Sequence, residues 1–164
     1  MRDGFKVYEN LIDLSFTETG DWHTADIRIG RGRGARWDFD GPGNVLAWAE
    51  LPCSPTDTQL LSMFDEQEPW NLQTTGPGVI MQAVWLHELG HLLGLDHSDS
   101  PADLLAPYYN PQIILPQPGD IARLQKLYGA PRDIPDTVAG VPAGEYSGRI
   151  TVQATGEISI KLDI

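Results

Sequence analysis

Cysteine is nearly absent: Cys53 is the only one in 164 residues, so no intrachain disulfide can form and the fold must be held by packing. Basic residues are scarce too, with 11 Lys and Arg against 23 Asp and Glu, a formal charge of −12. A field of that sign disfavours nucleic acid and anionic membrane surfaces as partners and suits divalent cations. An acidic surface is also simply a soluble one. No apolar run reaches the length of a membrane span. The opening residues, Met1-Arg2-Asp3-Gly4-Phe5, lack the apolar core of a signal peptide, which fits a cytosolic protein or a mature domain cut from a longer precursor. What is present is ordinary for one soluble domain with a real core: 41% hydrophobic and 21% charged residues.

The pattern along the chain is mixed. Segment 5–11 has weak helical periodicity and is short for a stable helix. Segments 14–17, 25–29, 45–51 and 60–64 read as strands, the second alternating Ile27 and Ile29 with polar neighbours. Between them, 30–43 is rich in Gly and Arg and reads as loop, and 52–58 as turn. From 79 to 93 the sequence is helix-compatible, apolar on most faces, and stops at Gly94, which describes a buried helix. Segment 98–118 is irregular, and 119–128 is an amphipathic helix ended by Gly129 and Pro131. Residues 1–130 then form one domain, 131–144 a linker, and 145–164 a β-hairpin turning at Thr155-Gly156.

The chemistry lies in His87-Glu-Leu-Gly-His-Leu-Leu-Gly-Leu-Asp-His97. Residues four apart on a helix sit about 40° apart around the axis, so His87 and His91 can present two imidazoles to one ion. A third ligand on the same helix points the wrong way, and Gly94 permits the sharp turn that returns His97. Three neutral histidines suit zinc with a fourth position open to water, whose pKa zinc lowers to roughly 7. Glu88, one residue along, is placed to take the proton as general base and pass it to a leaving amine. Helix histidines are ordinarily surface or core residues, and an isolated HExxH arises by chance. Here the glycine and third histidine fall at matching offsets, on a helix whose apolar surroundings make three histidines costly without a metal.

With that motif in place the chain resembles the metzincins, whose signature is HExxHxxGxxH followed by a methionine-containing turn. Ser98, directly after the third histidine, resembles the matrixin (matrix metalloproteinase catalytic domain) branch. Further matches are LSFTE at 14–18, ADIRI at 25–29, FDGPGNVLAWA at 39–49, FDEQEPW at 64–70 and DIARLQKLYG at 120–129. The resemblance implies an α+β, zincin-like fold: a twisted mixed sheet packed on a long active-site helix and a C-terminal helix. It implies a secreted, monomeric zinc endopeptidase acting on extended polypeptide. Leu46 and Ala47 are then on the edge strand that pairs with substrate. Pro107 and Tyr109 are the outer wall of the primed-side pocket, and Ala83 is the position that sets its depth. It also implies a structural calcium, with carboxylates from Asp40, Asp65 and Glu68 and carbonyls from Gly41, Gly43 and Val45.

Three departures from the family matter. The positions matching a second, structural zinc are Arg33, Ala35, Trp48 and Met63, so no second zinc is expected. Leu105 stands where the turn methionine belongs; the two are close in volume, and such swaps usually cost under about 1.5 kcal/mol. The family's first strand and most of its first helix have no counterpart before Phe5. The C-terminal hairpin either fills that gap in the sheet or begins another domain. Competing readings are a catalytically weak or inactive metzincin-fold binding module and an incomplete fragment. His23 reads as an exposed loop residue and Cys53 as a free loop thiol. Arg31, Arg33 and Arg36 read as neutralising nearby acids, because no aromatics interleave them as in a nucleic-acid surface.

Overall fold

A helix that is apolar on most faces must be covered on most faces, and the apolar segment near residue 80 folds accordingly. The computed structural model describes residues 2–54 and 59–131, and the backbone of 159–162. Its helices are α1 (Arg2–Glu9), α2 (Met81–Leu92) and α3 (Pro118–Tyr128). Trp85, Leu86, Leu89 and Leu92 of α2 are buried in one core with Phe5 and Tyr8 of α1 and Leu124 of α3. Each such side chain contributes roughly 1.5–3 kcal/mol on burial. Polar ties seat the helices. The Tyr8 hydroxyl donates to the Leu86 carbonyl at 2.7 Å, Tyr128 to Leu93 at 2.9 Å, and Gln125 Nε2 to Leu11 at 2.9 Å. Phe5 meets Trp85 edge-on at 5.1 Å between centroids.

The strands are β1 (Thr17–Glu18), β2 (Ile27–Gly32), β3 (Ala47–Ala49), β4 (Leu60–Asp65), β5 (Trp70–Asn71), β6 (Val79–Ile80) and β7 (Ser159–Leu162). Five make one sheet in the order β1-β7-β2-β4-β3. All pairings are parallel except β3 with β4, which runs antiparallel with Ala47 opposite Phe64 and Ala49 opposite Ser62. β5 and β6 form a separate parallel pair. The inward side chains of β2, Ile27 and Ile29, are buried, as their alternation requires.

The α+β architecture is the expected one, with local corrections. The loop expected at 30–43 begins later, because Gly30, Arg31 and Gly32 continue β2 opposite Met63, Phe64 and Asp65. Pairing along the full length of β4 outweighs the local composition, and a 3-10 turn at Ala35–Trp37 follows. Val79 and Ile80 are strand rather than the first residues of the long helix. A short apolar run looks the same in either state. The strand expected at 14–17 is reduced to Thr17–Glu18, and the one at 45–51 to Ala47–Ala49. The weak helix near the start runs from Arg2 to Glu9 rather than 5–11. Most of the hairpin expected at 145–164, and the linker after residue 131, lie outside the described residues. Within that stretch Ser159–Leu162 is a strand between β1 and β2. Among the described residues, no helix is long and apolar enough to cross a membrane.

Candidate metal centre

α2 carries His87 and His91 one turn apart, and the chain leaves the helix through Gly94, whose φ of +91° a side chain would strain. The Leu95 amide closes that turn on the Gly90 carbonyl at 3.0 Å, and His97 swings back towards the helix. The three imidazoles meet with ring centroids 4.7, 4.7 and 5.4 Å apart. Among the described residues they are the one group of three or more His, Cys, Asp or Glu whose ligand atoms all lie within 4.8 Å of one another.

The hydrogen bonds around two of these rings define which nitrogen is free. His87 Nδ1 is 2.7 Å from the Leu104 carbonyl oxygen and His91 Nδ1 is 2.6 Å from that of Leu95. A carbonyl only accepts, so each Nδ1 carries the hydrogen and each Nε2 is left with a lone pair. Burial is the main cause holding both rings below the ordinary histidine range, His87 at about 4. The Leu104 and Leu95 carbonyls pull the other way without reversing this. Both rings are therefore neutral near pH 7, yet their Nε2 atoms face each other at 3.0 Å. Two opposed lone pairs at that distance repel unless a cation lies between them. Two nitrogens at 2.0–2.1 Å from a tetrahedral zinc are roughly 3.3 Å apart, so the residues fit that ion.

Glu88 is buried beside this group. Its Oε2 has no hydrogen-bond partner among the described residues, and burial pushes its carboxyl up to about 8. Leu105 is fully buried, its side chain against Gly90 of the helix that carries His87 and His91. A Cβ at position 90 would come within 2.9 Å of Leu105 Cδ2, so Leu105 and the helix approach this closely only over glycine. The turn holding Leu105 is anchored by a residue that sequence reasoning did not single out. Asp120, fully buried at the start of α3, accepts from the Leu104 amide at 2.7 Å, the Leu105 amide at 3.3 Å and the Gln117 amide at 2.9 Å. Its sequence signal, an acid in a first helical turn, is the same as that of an ordinary cap.

The sequence profile of the matrixin family matches residues 1–129. The chain belongs to the matrixins. It is 42% identical over 114 residues to human matrilysin, covering 66% of this chain and 42% of that protein. It is 39% identical over 137 residues to human matrix metalloproteinase-19, covering 79% and 25%, and 35% identical over 131 residues to human matrix metalloproteinase-26, covering 75% and 48%. The chain thus spans between a quarter and a half of the length of these relatives. Matrixins are a family of zinc metalloendopeptidases.

In this matrixin the histidines and Glu88 open into a cleft of about 440 Å³. Leu46, Ala47, Ala83, Pro107 and Tyr109 all line it. β3 is the terminal strand of the sheet, so one of its edges has no strand neighbour among the described residues. The Leu46 carbonyl is held by the Asp65 amide at 3.0 Å, and the Tyr109 hydroxyl accepts from the Ile80 amide at 2.9 Å. Trp48, Asp96, Asp103 and Ile113 also line the cleft and were not foreseen.

The expected calcium residues are less tightly gathered. The loop curls through positive φ at Gly41, Gly43 and Asn44, and Val45 is exposed. Glu68 accepts from the Gly43 amide at 2.7 Å, Asp40 from Asn44 Nδ2 at 2.9 Å, and Asp65 from the Gln67 amide at 2.9 Å. Asp65 Oδ2 and Glu68 Oε2 are buried without partners among the described residues. Burial, chiefly, raises the Glu68 carboxyl, the Gly43 N–H opposes it, and Asp65 and Asp40 add to the rise. At the positions of the family's second zinc, Arg33 pairs with Glu66 at 3.0 Å and Trp48 Nε1 donates to the Trp37 carbonyl at 2.8 Å. Ala35 lies in the 3-10 turn and Met63 is buried in β4. Cys53 is exposed and not in a disulfide, its thiol donating to the Leu51 carbonyl at 3.3 Å, and His23 is exposed.

Proposed function

We propose that this chain is a zinc-dependent endopeptidase that cleaves extended polypeptide, with His87, His91 and His97 holding the metal and Glu88 as general base. The observation that carries this is the pair of opposed Nε2 lone pairs on two neutral, carbonyl-oriented imidazoles. Zinc held there supplies Lewis acidity, acidifying water and polarising a carbonyl oxygen. The chain's own residues do the rest. The free edge of β3, with Leu46 and Ala47 at its start, pairs with substrate backbone and fixes the scissile bond over the histidines. Ala83, Pro107 and Tyr109 bound the pocket beside it, which suits an apolar side chain. Glu88 takes a proton from the attacking water and delivers it to the leaving nitrogen. Leu105 fills the floor in place of methionine without offering a ligand. Calcium at Asp40, Asp65 and Glu68, with the Gly41, Gly43 and Val45 carbonyls, neutralises two buried unpartnered carboxylate oxygens. The family also supports an extracellular setting, and the chain acts in this reading as a monomer.

The test is zinc content together with hydrolysis of an unstructured protein, with and without chelator, against Glu88→Ala. About one zinc per chain, and chelator-sensitive cleavage reduced roughly 10²–10⁴-fold or more by Glu88→Ala, is expected. Zinc without cleavage indicates a binding module instead, and neither indicates a chain that does not complete its site.

A further inference from the structure

The three histidines are not equally secured. His87 and His91 each have a backbone carbonyl fixing the ring. His97 is exposed, and among the described residues its ring makes no hydrogen bond outside the histidine group; only its amide is bound, to Asp96 Oδ1 at 2.8 Å. Its aim therefore depends on the backbone of 94–98. Beyond the Gly94 and Leu95 amides, which close the helix end on the His91 and Gly90 carbonyls, that backbone is gripped at three further points. His91 holds the Leu95 carbonyl at 2.6 Å, the Leu105 carbonyl accepts from the Ser98 amide at 2.7 Å, and Arg123 Nη1 donates to the Asp96 carbonyl at 2.9 Å. The first two grips come from the site itself. Arg123 reaches in from α3, on the residue just before His97.

The other half of the same guanidinium binds Asp120 Oδ1 at 3.0 Å. Asp120 in turn holds the Leu104 and Leu105 amides, and the Leu104 carbonyl fixes the His87 ring. One planar fork thus spans the loop of the third ligand and the carboxylate that anchors the turn behind the first. Arg123 Nε is buried without an acceptor among the described residues, so the contacts seen there are made by the two terminal nitrogens. A lysine has a single ammonium and cannot reproduce that fork.

We propose that Arg123 is a positioning residue for the metal centre, aiming His97 by holding the Asp96 carbonyl while it locks Asp120. The inference rests on the zinc reading above. It is tested with Arg123→Ala and Arg123→Lys. Gln125→Ala serves as a control that removes a hydrogen bond from the same helix to Leu11, away from the histidines. The readouts are zinc affinity by chelator competition, the visible spectrum of the cobalt-substituted protein, and melting of the metal-free protein. Groups that orient metal ligands typically change affinity 10–100-fold when removed. Acting through one carbonyl, Arg123→Ala is expected near the lower end, about tenfold weaker for zinc, with shifted cobalt bands. Arg123→Lys should fall between it and the parent, and Gln125→Ala should change melting without moving the cobalt bands. Parent-like affinity and spectrum in a folded Arg123→Ala overturn the proposal. If that variant does not fold, the same result in Arg123→Lys overturns it. An equal loss of affinity and spectrum in Gln125→Ala overturns it too, because α3 would then act only as a structural support. A parent chain that binds no zinc fails at the first measurement, which marks failure of the underlying reading rather than of Arg123's place in it.

Discussion

Glu88, buried and with an Oε2 that has no partner among the described residues, imposes a pH dependence on the metal-free protein. Its carboxyl sits at about 8 against an ordinary 4.5, so between those values the folded chain binds more protons than the unfolded one. Stability of the metal-free protein therefore falls as pH rises through that window, by at most about 1.4 kcal/mol per pH unit. Glu88→Gln keeps the shape and cannot ionise, so its advantage over the parent is expected to grow between about pH 5 and pH 8. Urea titrations of the two metal-stripped proteins read this directly, and a pH-independent difference refutes it. His87 contributes with the opposite sign. Held near 4 instead of 6.5, it adds stability above 6.5 that is lost as pH falls towards 4; present in both proteins, it cancels from the comparison. At this scale the sequence was most readable where chemistry is local. His87, Glu88, His91, Gly94 and His97 lie within eleven consecutive residues of the sequence, and helical geometry alone brings the first three together. Asp120 and Arg123 were not readable in the same way. Each acts on backbone groups of a distant loop, and a carbonyl or amide leaves no mark in the side-chain sequence.

Elements were legible in proportion to their length and period. α2, α3 and β4 fall within two residues of where the sequence puts them: α2 through its long apolar run ending at Gly94, α3 and β4 through their period. β5 and β6 are two residues each, too short to show any period, and Val79-Ile80 hid inside a longer apolar run. The paired segments 40–45 and 65–68, joined by the Gly43 amide on Glu68, are the part whose role most needs a measurement. Its three carboxylates repel one another, and two of its oxygens are buried without partners. A cation that binds only the folded loop adds stability by mass action, about 2.7 kcal/mol at a hundred times its dissociation constant. Saturating calcium is expected to raise melting by roughly 5–11 °C in a domain of this size. Asp65→Asn should remove most of that gain while leaving zinc content unchanged. If calcium shifts melting equally in both proteins, ions binding elsewhere are responsible and the loop is not their site.

Across the whole molecule, the sheet depends on a strand that comes last in the chain. Without β7, neither β1 nor the adjoining side of β2 has a partner within the described sheet, although Ile27 and Ile29 of β2 belong to the core. No composition or spacing rule announces a parallel insertion between two strands more than a hundred residues earlier. Only the alternation of Ile158, Ile160 and Leu162 hinted that the tail was β-competent. Ile160 stands level with Glu18 on one side and Ile27 on the other. A strand flanked on both sides tolerates proline poorly, since the ring removes a ladder hydrogen bond and clashes with the neighbouring backbone. Ile160→Pro is therefore expected to destabilise the whole domain by about 1–3 kcal/mol through the ladder partner it leaves unsatisfied, lowering its melting temperature by roughly 2–12 °C. Ile160→Val keeps the N–H and should melt within about 2–4 °C of the parent. The loss should reach the metal centre as well, because β2 and β4 carry the sheet against which α2 packs. Proline variants that melt and bind zinc like the parent would mean that the domain stands without β7.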